Sequence, residues 1–221
     1  QSAPVKRGEF FYYHRTEKGK NYTIYCRKKG SVEAKEEIIL DVNALAKGHG
    51  FFSVGAFEIS DDNRLLAYTT DTTGYRQYTL RVKNLETGKL LPDSAECVGS
   101  VEWAPDNKTI FFSREHAVTK RSDEIHRHRL GEKGSETIYF EPDELYDVYL
   151  QRSRDLRYLF AVSESKLTTE VRALNLAKPE GALELIEPRR PDHKYFVTHA
   201  HGTFYIRTND KAKNYRVDRK S

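Results

Sequence analysis

Hydrolysis by an activated serine would need the string Gly-x-Ser-x-Gly, a strained strand-to-helix turn that exposes the hydroxyl. No such string occurs in this chain of 221 residues. Ser53 lies between Gly50 and Gly55, but in another spacing and inside a stretch that reads as a strand, so no catalytic residue is assigned. Histidines offer a second chemistry. His126 and His128, like His199 and His201, stand two residues apart, which puts both rings of a pair on one side of a strand, where two imidazoles could hold a metal. Neither pair has a Cys or carboxylate in ligand spacing. The preferred reading is a strand edge with exposed or hydrogen-bonded rings, and no metal or cofactor is expected.

Three carboxylates, Asp61, Asp62 and Glu86, could receive a basic peptide, since a carboxylate matches an arginine fork. Turn chemistry explains them more simply, because Asp and Asn brace tight turns with their own side chains. The chain is also basic, with 37 Lys and Arg against 33 Asp and Glu, and a basic surface would not by itself draw in a basic peptide. No substrate-contacting residue is assigned. The segment Arg114 to Arg121 is longer than a hairpin needs and strongly charged, a candidate rim loop that could close on a partner domain or simply sit in solvent.

The basic residues are scattered among acidic ones, without the Lys/Arg stripe and stacking aromatics of a nucleic-acid face; the 14 Tyr and 11 Phe fall instead in strand-like runs. Two cysteines, Cys26 and Cys97, are too few for a disulfide framework or a zinc site, and favour a reduced, cytoplasmic setting. Asn21-Tyr22-Thr23 and Asn107-Lys108-Thr109 match the glycosylation sequon, but chance gives such matches readily. No leader or long apolar run is present, so no membrane is expected.

A repeated stretch must position these residues. Phe57-Glu58-Ile59-Ser60-Asp61-Asp62-Asn63-Arg64-Leu65-Leu66-Ala67-Tyr68 returns in variants that begin at Val101, Leu150 and Phe196, in steps of 44, 49 and 46 residues. Each copy is an apolar run, a polar turn on Asp, Asn or Gly, and a second apolar run rich in aromatics: two strands and their hairpin. Repeats of this length with four short strands each build β-propellers. The expected fold is therefore all-β, a partial β-propeller of four-stranded antiparallel blades forming one domain over 1–221. Its blade units are placed at about 10–40, 51–97, 99–140, 146–186 and 195–217, with β-branched and aromatic residues alternating with polar ones. A short helical turn is expected over Asp41 to Ala46. Three units count as complete, the opening one lacks an inner strand and the closing one an outer strand. An open arc leaves two blade faces in water, and there is no methionine, even at position 1; both suggest an excised piece of a longer protein, or one that self-associates through its open blade faces.

Particular stretches go beyond generic blade chemistry. Arg15-Thr16-Glu17-Lys18-Gly19-Lys20-Asn21-Tyr22, Phe51-Phe52-Ser53-Val54-Gly55-Ala56-Phe57-Glu58-Ile59-Ser60, Thr73-Gly74-Tyr75-Arg76-Gln77-Tyr78-Thr79-Leu80 and Glu187-Pro188-Arg189-Arg190-Pro191-Asp192-His193 resemble the amino-terminal propeller of the prolyl oligopeptidase family of serine peptidases, its oligopeptidase B branch in particular, over nearly the whole chain. The resemblance implies a two-part parent, a seven-bladed propeller and an α/β-hydrolase domain with a Ser-Asp-His triad. In it the propeller admits short peptides, cleaved after Arg or Lys, and excludes folded proteins. The hydrolase domain is absent here, so the chain alone is expected to be inactive. The alternative is a stand-alone propeller scaffold for protein–protein interaction; a shrunken ring of about five blades fits the partial units less well.

Overall fold

The computed structural model describes residues 1–220. Nineteen strands and one helical turn make five antiparallel sheets. The first holds β1 (Val5–Arg7), β2 (Phe10–Arg15), β3 (Ile24–Lys29) and β4 (Glu36–Asp41), and α1 (Val42–Leu45) follows it. The second holds β5 (Ser53–Ile59), β6 (Leu65–Asp71), β7 (Thr79–Asn84) and β8 (Leu90–Ala95). The third holds β9 (Val98–Trp103), β10 (Thr109–Glu115), β11 (Ser122–Arg129) and β12 (Glu136–Phe140), and the fourth β13 (Asp147–Arg152), β14 (Tyr158–Glu164), β15 (Thr169–Asn175) and β16 (Glu184–Glu187). The fifth has three strands, β17 (Tyr195–Ala200), β18 (Thr203–Thr208) and β19 (Arg216–Lys220). Every sheet is a meander in chain order. First strands of neighbouring sheets touch, β5 with β9 and β9 with β13, so the sheets converge on their first strands, as blades do on an axis.

The closing unit lacks its outer strand, as expected, but the opening unit is complete. Its inner strand is Val5–Arg7, joined to β2 by a two-residue turn at Gly8, which has φ +59. Only one of the three residues in Val-Lys-Arg is apolar, so no alternation marks it as a strand. The helical turn is where expected: the Asp41 carboxylate accepts the amides of Asn43 and Ala44, satisfying donors that a helix start leaves orphaned.

One apolar cluster lies between each pair of neighbouring sheets. Leu40, Phe52 and Tyr68 join the first to the second, and Leu80, Trp103 and Phe112 the second to the third. Phe111, Ile125 and Leu159 join the third to the fourth, and Phe160, Tyr195 and Ile206 the fourth to the fifth. Adjacent residues such as Phe111 and Phe112 therefore serve opposite clusters, because successive strand side chains point to opposite faces. The alternation expected of the second strands is absent for this reason. Leu66, Ala67, Tyr68 and Thr69 are all buried, since a strand covered on both faces needs an unbroken apolar run.

Two glycines show how tightly the inner strands are held. In β5 and β9 the ladder to the next strand slips at a bulge. There the Thr69 and Ser113 hydroxyls accept the Ala56 and Ser100 amides, each at 2.9 Å. A Cβ on Gly55 or Gly99 would lie 2.7 or 2.8 Å from those same hydroxyls, so a bulge closed by a side chain admits only glycine.

The first hairpin of each repeat places one residue in the left-handed region: Asn63 (φ 61), Asn107 (φ 56), Leu156 (φ 61) and His201 (φ 51). Asn tolerates that conformation, whereas a branched aliphatic side chain raises its cost. Leu156→Asn is accordingly expected to raise stability by about 0.5–1 kcal/mol, read as a higher denaturant midpoint at unchanged slope. A midpoint that stays put or falls would show that Leu156 gains more from packing than its backbone loses.

Candidate functional site

In a sheet of order one to four, the loops from second to third strand and the linkers to the next sheet share one rim; the two hairpins share the other. The linker rim carries Phe51, Tyr75, Val118, Leu145 and Leu167, with Tyr75, Val118 and Leu145 at least three-quarters exposed. Large apolar side chains on successive loop tips of one rim mark an interaction face rather than scattered surface residues. The segment Arg114 to Arg121 lies here, but only residues 116–121 form loop, because β10 runs to Glu115. Arg121 is an anchor: its guanidinium donates to the carbonyls of Glu141, Asp143 and Tyr146 and pairs with Asp123 at 3.2 Å. That leaves Val118 at the free tip.

Beneath this rim an ion network ties the third sheet to the fourth. Glu141, 1% exposed, accepts both terminal nitrogens of Arg189, the Tyr139 hydroxyl and the Asp143 amide. Burial alone would push its carboxyl up, but these partners, Arg189 foremost, bring it down to about 2. Arg189 also bonds Glu170 and lies over the Tyr146 ring, 4.1 Å from its centre.

The hairpin end of the axial wall gathers a second charged group. Arg152, at the end of β13, reaches back to the second sheet and grips both oxygens of Asp61 at 2.9 and 3.0 Å, while Arg7 approaches Asp61 at 3.2 Å. Glu58 and Glu102 hold equivalent positions on β5 and β9. Burial raises both carboxyls, that of Glu102 to about 7 with Glu58 adding to the effect and Arg152 opposing it. Glu102 also accepts the Arg152 amide at 3.3 Å.

Asp61 is thus an inter-blade clamp, beyond the turn role read from sequence. Asp62 does keep to turn chemistry, bonding the Ser60 hydroxyl and the Arg64 amide, and Glu86 pairs with Arg64 at the surface. Ser53 meets the Tyr78 hydroxyl and has no histidine bonded to it. His126 and His128 share a face as expected, but on an interior strand rather than an edge, and both are buried. Glu124 and Ser135 occupy the His126 nitrogens, and Asp93 and the Gly134 carbonyl those of His128, so no lone pair is left for a metal. His199 and His201 do not share a face. His199 is a buried strand residue bonded to Asp155, and His201 is in the hairpin turn. No cluster of metal-ligating side chains occurs among the described residues. Cys26 and Cys97 are both free.

Sequence reasoning missed Glu58, Glu102 and Arg152. A signal did exist: Phe-Glu-Ile and Val-Glu-Trp set an acid in an otherwise apolar strand at the same place in two successive repeats. Glu141 had none, as its charged partner Arg189 lies 48 residues away.

A family model described as the prolyl oligopeptidase N-terminal beta-propeller domain matches residues 1–219. Among curated proteins the chain is similar to dipeptidyl aminopeptidase BI of Pseudoxanthomonas mexicana, 36% identical over 98% of this chain and 32% of that protein. It is also similar to protease 2 of Moraxella lacunata, 35% identical over 97% and 32%. Among solved structures, oligopeptidase B from Leishmania major superposes with a TM-score of 0.91 at 30% identity, and that from Trypanosoma brucei with covalently bound antipain with 0.90 at 31%. Each superposition covers 99% of this chain and 32% of the other. The chain spans about a third of the length of the relatives it matches.

Proposed function

Given that this chain belongs to the prolyl oligopeptidase family of peptidases, as an oligopeptidase B-like amino-terminal propeller, we propose that it is the non-catalytic part of a serine peptidase. It docks an α/β-hydrolase domain of the same parent and limits that domain's substrates to short peptides cut after Arg or Lys. The observation that carries this reading is the linker rim, where Phe51, Tyr75, Val118, Leu145 and Leu167 stand exposed on successive loops and linkers. The ion network beneath, around Glu141 and Arg189, gives those loops a rigid base.

The size limit follows from the blade packing. Neighbouring sheets are joined by buried apolar clusters, so a substrate reaches a domain seated on the rim along the axis or past the seam. The basic specificity belongs to the hydrolase domain, because the axial carboxylate Asp61 is already occupied by Arg152 and Arg7. The two free cysteines fit a reduced, cytoplasmic setting.

Two measurements test this. The chain alone should not hydrolyse an Arg-containing peptide; turnover that survives purification would place a nucleophile inside it. In the full-length parent, the double substitution Val118→Asp and Leu145→Asp should lower kcat/KM for such a peptide about tenfold, by putting charge into an apolar contact, with the melting temperature of the propeller unmoved. Unchanged kinetics would take the rim out of the domain contact.

A further inference from the structure

The hairpin rim, opposite the apolar one, holds a built cleft. It measures about 540 Å³ and lies where the first hairpins of the third, fourth and fifth sheets meet. Its apolar walls are Pro105, Leu156 and Leu176. At its base is His199, 3% exposed, packed between the rings of Tyr158 at 4.5 Å and Phe204 at 4.9 Å. Asp155 fixes the ring from behind: its Oδ2 takes His199 Nδ1 at 2.7 Å, while its Oδ1 is held by the Ser153 hydroxyl and the Arg157 amide. A carboxylate at Nδ1 takes the proton there, so in the neutral ring Nε2 is the nitrogen that accepts. No described residue bonds Nε2.

A histidine oriented by a carboxylate, with its second nitrogen bonded by no described residue, offers an acceptor at the base of the apolar cleft. Two further groups at the mouth are also unpaired. Asn175 uses its Oδ1 on the Ala177 amide, which leaves its Nδ2 free to donate, and the Arg157 guanidinium has no partner among the described residues. One acceptor below, one amide donor at the side and an apolar wall between them match an extended peptide backbone, whose N–H and C=O alternate with its side chains. The free guanidinium at the mouth matches a carboxylate.

We infer that this cleft is a peptide subsite, taking an apolar side chain against Pro105, Leu156 and Leu176. In it a backbone N–H donates to His199 Nε2, a carbonyl accepts from Asn175, and a terminal or side-chain carboxylate faces Arg157. The subsite stands on the hairpin rim alone and does not depend on which rim receives a hydrolase domain.

The test is calorimetric titration of the full-length protein with acetyl-Leu-Ala, a probe with no Arg or Lys to be cleaved after. Weak binding is expected, with a Kd on the order of 1 mM. His199→Phe, which keeps the aromatic packing and loses Nε2, should weaken it about tenfold. Since His199→Phe also strands Asp155, Asn175→Asp provides the variant that keeps the fold: it retains the acceptor for Ala177, removes the donor, sets a charge of the probe's own sign at the mouth, and should weaken binding by at least a similar factor. Absence of heat at about 10 mM probe, or an affinity that Asn175→Asp leaves unchanged, overturns the subsite.

Discussion

Glu141→Gln is expected to lower the unfolding free energy at pH 7 by about 3 kcal/mol. The carboxyl falls from its ordinary 4.5 to about 2 on folding. Each unit is worth about 1.4 kcal/mol between the two protonation states, which sets the size. Because the folded value is depressed, the contribution is fully present above pH 4.5 and drains away as pH falls through 2. The wild type and the variant should therefore converge in acid. Gln also turns an N–H toward Arg189, which is left with Glu170 alone, and the linker carrying Leu145 loses the anchor at its start. Denaturant midpoints at pH 7 and pH 3 decide the matter: a gap that persists unchanged in acid would mean that shape, not charge, holds Glu141 in place.

Glu102→Gln should do the opposite and stabilise the chain above neutrality. Here the folded carboxyl is raised, to about 7 from 4.5, because burial between the second, third and fourth sheets and the neighbouring Glu58 disfavour its charge more than Arg152 supports it. The folded state then binds this proton more tightly than the unfolded one. Its contribution is present below pH 4.5 and is lost as pH rises through about 7. At pH 8 the wild type carries a partly buried charge that unfolding would hydrate. Gln carries none, and its carbonyl can still accept the Arg152 amide. A gain of about 2 kcal/mol at pH 8, shrinking to near zero at about pH 4, is expected once partial exposure is allowed for. A variant less stable than wild type at pH 8 would show that Arg152 and Arg7 need the negative charge more than burial penalises it.

These two carboxylates differ only in what the fold sets beside them. Glu141 meets an arginine fork, a phenol and an amide; Glu102 meets another carboxylate and a guanidinium already gripped by Asp61. Local sequence marks Glu102 as an acid in an apolar strand, but nothing in it gives the direction in which either carboxyl shifts. The histidines teach the same point. His126 and His128 have a spacing that reads as a metal pair, yet Glu124, Ser135, Asp93 and Gly134 use up every nitrogen. His199 and His201 have the same spacing and separate, because Ala200 ends the strand and His201 must turn.

By itself the sequence determined the blade. The recurrence of an apolar run, a polar hairpin and an aromatic run every 44 to 49 residues demands a four-stranded unit, because local turn chemistry and strand periodicity act between neighbours along the chain and so are written there. It missed the inner strand Val5–Arg7, whose side chains are chosen by the axis and not by a core. Only the tertiary structure decided which charges matter. Arg152 reaches Asp61 across 91 residues and Arg189 reaches Glu141 across 48, and a carboxyl's proton affinity depends on burial and on charges within a few ångströms, which stacking the blades fixes and linear order does not.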